Sequence, residues 1–322
     1  ELGTAMPSSG GSYVYIRQTY GAWMGMISGL GLWASFGLKS AFALIGFSAY
    51  IYAIQEPLGF EFTETMSKVI AIFLLSLIVM VNIMGVKSIK KIQIPIVGIS
   101  ILFIVALTAL AAADPSFEWG KPVDAEAFSQ DGLFSRNGMI NLGTASAFVF
   151  LSFAGVTKIA AVAGEIKSPS GNLPKSMIWT LVLATAIYVL VSYFLLGMLE
   201  PSELGIGTDK PDKAPIHTFA VKVGGTNLGL LAAAVAIISM AGMALSGVLG
   251  SSRFIFAMSR DNLIPQVFEE LNPKYETPHY AIVITGVAMA TAILTIPVGD
   301  VAKLASGFKI MIFMLINSTV IV

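Results

Sequence analysis

Cysteine is absent from this 322-residue chain, which excludes disulfides, thiolate metal sites and cysteine nucleophiles. Histidine is nearly absent: His217 and His279 both read as parts of polar connections, and no metal-ligand cluster can be built from them. Charge is scarce too. Asp, Glu, Lys and Arg make up 12% of residues, about half the share of an ordinary soluble domain, and 19 basic residues balance 19 acidic ones. With no net charge and no basic tract, the composition argues against nucleic acid as a partner. A glycine-rich loop ending in Lys-Ser or Lys-Thr does not occur, which argues against a nucleotide-driven pump. The apolar runs carry no acid, histidine or metal cluster at mid-depth, so an intramembrane hydrolase lacks its chemistry. No cofactor is called for, and an enzyme is not expected.

Apolar sequence fills the space. Hydrophobic residues make up 56% of the chain and the mean hydropathy is +0.81. Runs of about 18 or more such residues, enough to cross a hydrocarbon core, recur along the whole length. Eight spans are expected, at about 22–54, 69–86, 92–113, 139–163, 177–199, 228–258, 279–297 and 304–322. They are continuously apolar, without the alternation of a lipid-facing strand, so helices are expected rather than a barrel. Residues 1–20 are polar and glycine-rich and read as a loop with a short helix lying at the interface. The first span is too long to stand upright and must tilt or protrude. Gly21, Gly25 and Gly29 recur every fourth residue there, a stripe that permits close helix contact. Residue 1 is Glu, there is no signal peptide, and the last apolar run is still going at Val322, so the chain reads as an internal piece of a longer protein.

The connections alternate in charge. Arg17, then Lys87, Lys90 and Lys91, then Lys167 and Lys175, then Arg253, Arg260 and Lys274 mark one side. Glu56, Glu61 and Glu64, then Asp114 to Asp131, then Glu200 to Asp212 mark the other. The bias in Lys and Arg is modest, and the Lys87–Lys91 cluster decides it. That cluster and the Glu165–Lys175 loop are expected in the cytoplasm, the acidic loops outside, and the protein in a plasma (inner) membrane.

Three stretches then resemble one family. Pro7-Ser8-Ser9-Gly10-Gly11-Ser12-Tyr13-Val14-Tyr15 with Tyr20-Gly21 is similar to the loop after the second helix of amino acid permeases of the amino acid–polyamine–organocation superfamily. Phe153-Ala154-Gly155, with Ala163-Gly164-Glu165-Ile166-Lys167-Ser168-Pro169 and Asn172-Leu173-Pro174, resembles the sixth helix and following loop. Arg253 with Ala257-Met258-Ser259-Arg260-Asp261-Asn262-Leu263-Ile264-Pro265, then Thr277-Pro278, resembles the end of the eighth helix. The resemblance implies an all-α polytopic membrane protein, a LeuT-like inverted-repeat helix bundle. It implies a single permease domain truncated at both ends, with family helices three to ten present, residues 1–113 the remainder of the first repeat and 139–322 the second. An unwound stretch of the family's first helix forms half the substrate site, so the fragment alone is not expected to transport.

Residues 139–174 carry the functional reading. Gly155 lowers helix propensity by about 1 kcal/mol relative to Ala, and the hydroxyls of Ser152 and Thr157 can satisfy freed backbone groups; serine and glycine are common in any membrane helix, and it is the resemblance that implies a broken helix at mid-span. Phe150, Ser152, Phe153, Ala154, Gly155, Val156 and Thr157 are the candidate substrate-binding residues. Phe150 and Phe153 would close over a substrate, or simply pack. Lys158 sits where a lysine costs roughly 2.5–3.5 kcal/mol on insertion scales. It either pairs with a substrate carboxylate, cycles as a proton carrier, or snorkels to the interface. Lys39, deep in the first span, is a second coupling candidate with the same bland alternative. Many family members have an acid where Thr157 stands, which puts carboxylate-based coupling in doubt and argues against a strongly cationic substrate. Ser246 shares a helix face with Ser239 and is a coupling candidate, against the commoner reading that such serines bond their own backbone. Glu165, Lys167, Arg253, Arg260 and Asp261 are candidates for a cytoplasmic gate, or else a solvated rim. The expected function is secondary active transport of amino acids by alternating access, as proton symporter or exchanger, with the lipid bilayer and an amino acid as partners and the proton as candidate coupling ion. A transporter-like sensor that binds without net transport is the alternative.

Overall fold

An apolar run that crosses hydrocarbon must pair every backbone N–H and C=O within itself, and a helix does so. The computed structural model describes residues 2, 6, 10–123, 135–205, 212–296 and 298–319, and every regular element among them is helical. The helices are α1 (Ser12–Leu58), α2 (Glu64–Ile83), α3 (Val86–Ala113), α4 (Arg136–Ser152), α5 (Lys158–Ala161), α6 (Pro169–Met198), α7 (Pro215–Arg260), α8 (His279–Thr295) and α9 (Val298–Ser318). Five helical stretches, in α1, α2, α3, α6 and α7, are long and apolar enough to cross a membrane, and 279–295 and 307–318 are shorter apolar helices. Trp179 and Leu102 are 72% and 70% exposed, and Met311 is similar. An aqueous protein would not leave so much apolar surface bare, whereas lipid is its natural solvent. The all-helical membrane bundle expected from the sequence is the one found.

Two glycine sites depart from the sequence reading. The Gly21–Gly25–Gly29 stripe is not one continuous face, because Gly21 has φ 84° and ψ −178° and splits α1 into residues 12–20 and 22–58. The first segment then turns back on the second. A Cβ on Gly25 would stand 2.7 Å from Cβ of Arg17, and one on Gly29 would meet Met258 and Tyr13. Residues 12–20 are therefore packed inward rather than laid on the interface: Tyr13 and Ile16 are fully buried and Tyr15 nearly so. In α7, Gly224 and Gly225 (φ 71°) interrupt the helix, so a segment from Pro215 precedes the expected span and His217 is helical, not in a connection.

The chain alternates between two ends of the bundle. α2 starts at Thr63, whose hydroxyl accepts from the Met66 N–H at 3.3 Å, with a Glu64–Lys68 ion pair one turn on. It stops at Gly85 (φ 93°), and there the Thr277 hydroxyl donates to the Ile83 carbonyl at 2.7 Å. This ties the 272–278 loop to the end that carries Lys87, Lys90 and Lys91. At the opposite end Lys121 pairs with Glu200 and Lys222 with Glu203, and the Glu118 N–H donates to the Gly197 carbonyl. The Glu200 backbone N–H and then the Lys222 ammonium hold the Glu203 carboxyl below its usual range. Between the ends, α1 packs most extensively on α7 and next on α9. Phe47, Leu75, Ile78, Val248, Ile282 and Met289 form the largest buried cluster, from α1, α2, α7 and α8.

Candidate functional site

The segment between α4 and α6 is a helix taken apart. α4 ends at Ser152, a 3-10 turn covers Phe153–Gly155, residues 156–157 turn, α5 lasts from Lys158 to Ala161, and a second 3-10 turn covers Ala163–Glu165. Bonds from Val156 N–H to Phe153 O and from Ile159 N–H to Val156 O replace the longer α-helical reach. Gly155 contributes the low helix propensity, and a Cβ added there would meet nothing within 4 Å, so the backbone at the break borders open space.

A hydroxyl from another helix meets the break. Tyr188 of α6 donates to the Ser152 carbonyl at 3.3 Å, and its ring stands edge-on to Phe153 at 5.2 Å. Neither Ser152 nor Thr157 caps the turn that follows it. A cavity of about 530 Å³ lies beside this contact, lined by Val149, Ser152, Phe153, Thr185, Tyr188 and Ser192 among others. The sequence signal for Tyr188 was one of two tyrosines within the fifth apolar run, which reads as filler until the helices are placed. Removing its hydroxyl should be felt locally. Tyr188→Phe is expected to lower the thermal unfolding midpoint by the equivalent of about 1 kcal/mol, and Tyr188→Ala by more because the ring contact goes as well. Thermal unfolding of the purified protein in detergent checks both.

Of the other candidates at the break, Val156, Thr157 and Lys158 are partly buried and Gly155 is exposed. The side chains of Phe150, Ala154 and Glu165 lie outside the described residues. Lys158 leaves the break along a glycine strip on α7. A Cβ on Gly250 would stand 3.7–3.9 Å from its Cγ, Cβ and Cδ, and one on Gly247 would stand 3.6 Å from its Nζ. Its ammonium lies 5.7 Å from the centre of the Phe36 ring. Lys39, three residues after Phe36 on α1, is within Coulombic reach of Lys158. The two lysines that the sequence separated by more than a hundred positions are thus brought near each other. Sequence reasoning missed a third. Lys309 of α9 is fully buried, with its ammonium 4.5 Å from the centre of the same Phe36 ring and 5.5 Å from that of Phe313. Its signal was there, a lysine in the middle of the last apolar run.

Ser246 donates to the Met243 carbonyl of its own helix at 3.0 Å, while Ser239 meets Ser100 of α3 hydroxyl to hydroxyl at 2.6 Å. Their shared spacing does not give them a shared environment.

At the lysine-bearing end, Asp261 takes a hydrogen bond from the Tyr13 hydroxyl at 2.7 Å and an ion pair from Arg17 at 3.1 Å. Lys167 is exposed, Arg253 is buried, and Arg260 lies 5.7 Å over the Phe256 ring. Next to this seam the Gly10 N–H donates to the Ala161 carbonyl at 3.1 Å, and Gly11 sits against the Ala160 backbone. The first turn of α1 is thereby fastened both to α5 and to the end of α7. Among the gate candidates Asp261 is held in an ion pair, and its partners lie in α1.

A bundle of membrane helices, one of them broken at mid-span beside a partly buried lysine, is the architecture of a transporter. The model of the amino acid permease family matches residues 1–322, and the chain belongs to that family, whose members are transporters and not enzymes. It is 27% identical over 337 residues to the branched-chain amino acid permease BcaP of Bacillus subtilis, covering 100% of the chain and 69% of that protein. It is 27% identical over 316 residues to the serine/threonine exchanger SteT of the same organism, covering 97% and 68%. An uncharacterized transporter of Mycobacterium tuberculosis is 26% identical over 300 residues, covering 91% and 61%. The chain thus spans between 61% and 69% of the length of these relatives.

Proposed function

We propose that the full-length protein moves amino acids across a membrane by alternating access, as a proton symporter or an exchanger. The observation that carries the reading is the helix interrupted at 152–158, where backbone groups border open space at mid-span in a member of the amino acid permease family. The substrate's backbone-like groups would meet the stretch from Phe150 to Thr157, with Lys158 and Lys39 as coupling candidates. Residues up to 113 and from 139 onward would act as two inverted repeats. The lysine-bearing end faces the cytoplasm on this reading. Opening toward that side requires the seam of Tyr13, Arg17 and Asp261 to part, and with it the Gly10–Ala161 bond.

Relatives named as carriers of branched-chain amino acids and of serine and threonine support the substrate class. The test is uptake of labelled amino acids into proteoliposomes holding the full-length protein, with and without an imposed proton gradient. Saturable uptake that responds to the gradient indicates symport, and uptake that needs amino acid inside indicates exchange. Saturable binding with neither would assign the protein to sensing and overturn transport.

A further inference from the structure

Away from the broken helix, a second cavity of about 390 Å³ opens at the end opposite Lys87, Lys90 and Lys91. Its size falls in the range of ligand clefts, roughly 300–1,000 Å³. α1, α2 and α8 wall it, and Lys213, exposed in the loop before α7, completes the lining. Its depth follows from the helix ends. Glu64 is the first residue of α2 and Thr295 the last of α8, and both line the cavity. That is the level of lipid headgroups rather than of hydrocarbon. On the inner side Ile45 and Ile293 join it to the largest buried cluster. On the outer side Leu294 lines it and is exposed, and so are Val69 and Phe73, which follow Lys68 along α2. The cavity therefore runs out onto bare apolar surface of the kind that lipid covers.

The polar lining carries charge of both signs. Lys68 holds Glu64 at 2.9 Å one turn away, and a third of its side chain still reaches solvent. Lys213 sits on a pinned loop: Asp212 beside it accepts from the Ala214 N–H at 2.8 Å and from the Thr218 hydroxyl at 2.6 Å. Ser67 adds a group that calls for a ligand. A helical serine commonly bonds a carbonyl of its own turn, as Ser48 of the same lining does to Ile45 at 2.7 Å. The Ser67 hydroxyl is buried and meets no hydrogen-bond partner among the described residues, an arrangement that a bound acceptor would relieve.

We infer that this cavity binds the headgroup of phosphatidylethanolamine, with the phosphate toward Lys68, Lys213 and the Ser67 hydroxyl and the ammonium toward Glu64. An acyl chain lies along the apolar strip that starts at Val69. The mixed charge sets the choice of headgroup. Phosphatidylglycerol brings its phosphate up to Glu64 with no ammonium to offset it, and a phosphocholine has no N–H to donate to a carboxylate. A soluble zwitterion would match the charges and forgo the strip.

The experiment uses the full-length protein purified in detergent, followed by native mass spectrometry and thermal unfolding. Phosphatidylethanolamine, phosphatidylglycerol and phosphatidylcholine are added in turn, with phosphoethanolamine, inorganic phosphate and leucine as chainless probes. A single phosphatidylethanolamine per chain is expected to stay bound and to raise the unfolding temperature more than the other lipids do. Lys68→Gln and Lys213→Gln should each weaken its retention about tenfold, as loss of a charge-assisted contact does, and Glu64→Gln should erase the preference over phosphatidylglycerol. Ser67→Ala should weaken retention while leaving the lipid-free protein as stable or more so, because a buried unmet hydroxyl is gone. A Ser67→Ala variant that is less stable without lipid and retains it unchanged would overturn the site. Equal retention of all three lipids, indifferent to the lysines, would mean ordinary surrounding lipid and overturn it too. Phosphoethanolamine or phosphate stabilising as well as the lipid would assign a soluble ligand, and displacement by leucine an amino-acid site; either overturns the lipid assignment. Phosphatidylglycerol bound tightest overturns the headgroup.

Discussion

Gly11→Val should unfasten the start of α1 from the broken helix and lower stability by about 3 kcal/mol or more, the sum of a left-handed backbone strain and a steric overlap. Gly11 has φ +38°, and a Cβ there would lie 2.6 Å from the Ala160 carbonyl carbon and 2.7 Å from its oxygen. Those atoms belong to backbone, so no rotamer change relieves the overlap. α5 or residues 10–12 must move, and the Gly10–Ala161 bond moves with them. Gly21→Ala is the internal control. Its φ is +84° but nothing lies within 4 Å of the added methyl, so strain alone applies, about 1–2 kcal/mol. Thermal unfolding in detergent should rank the two variants in that order. Limited trypsinolysis at Arg17, which the seam with Asp261 protects, should speed up in the Gly11 variant well before the bundle itself unfolds. If both glycines tolerate substitution equally, the contact with Ala160 is not what holds the segment.

The contrast between these glycines explains what the sequence could and could not disclose. Membrane spans are legible because twenty apolar residues have few alternatives: five of the eight expected runs lie in helices long and apolar enough to cross, whereas the run expected at 139–163 is divided among shorter helical pieces. The break at residues 152–158 was legible through the resemblance to the sixth helix of the family, since low propensity and hydroxyls in one stretch are common in unbroken membrane helices as well. Gly21 and Gly225 were not read as breaks. A glycine in an apolar run serves close packing or positive φ, and the letter is the same for both. Pairings across the bundle were hidden for a different reason. Asp261 finds Tyr13 some 248 positions away, and nothing local to either residue favours that partner over Arg253 or Lys167. Lys309 went unread in the middle of the last apolar run, and its place becomes visible when α9 is laid against Phe36. Ser246 shows the limit of helical spacing: it does lie seven residues from Ser239, yet its hydroxyl donates to the Met243 carbonyl of its own turn, as a mid-helix serine commonly does.

Gly247 is where fold and site are coupled most tightly, and Gly247→Ala is expected to destabilise by about 1–3 kcal/mol. A methyl there would overlap Oγ of Ser40 on α1 and stand 2.8 Å from its Cβ. Rotating the hydroxyl frees only the first contact, at the expense of its 2.8 Å bond to the Phe36 carbonyl. The second contact can be relieved only by moving α1 away from α7, the most extensive packing in the molecule. Gly250→Ala, one turn on, is the counter-case. Its methyl would touch the Lys158 stem at 3.7–3.9 Å, an ordinary contact, and a helical Gly to Ala change gains up to about 1 kcal/mol, so the variant should be neutral or more stable. The two substitutions are chemically identical and three residues apart, so opposite shifts in unfolding temperature would isolate the helix approach at Ser40. Ser40→Gly combined with Gly247→Ala should recover most of the loss, because it removes both atoms that the methyl meets. The same close approach keeps Phe36 and Lys39 beside Lys158.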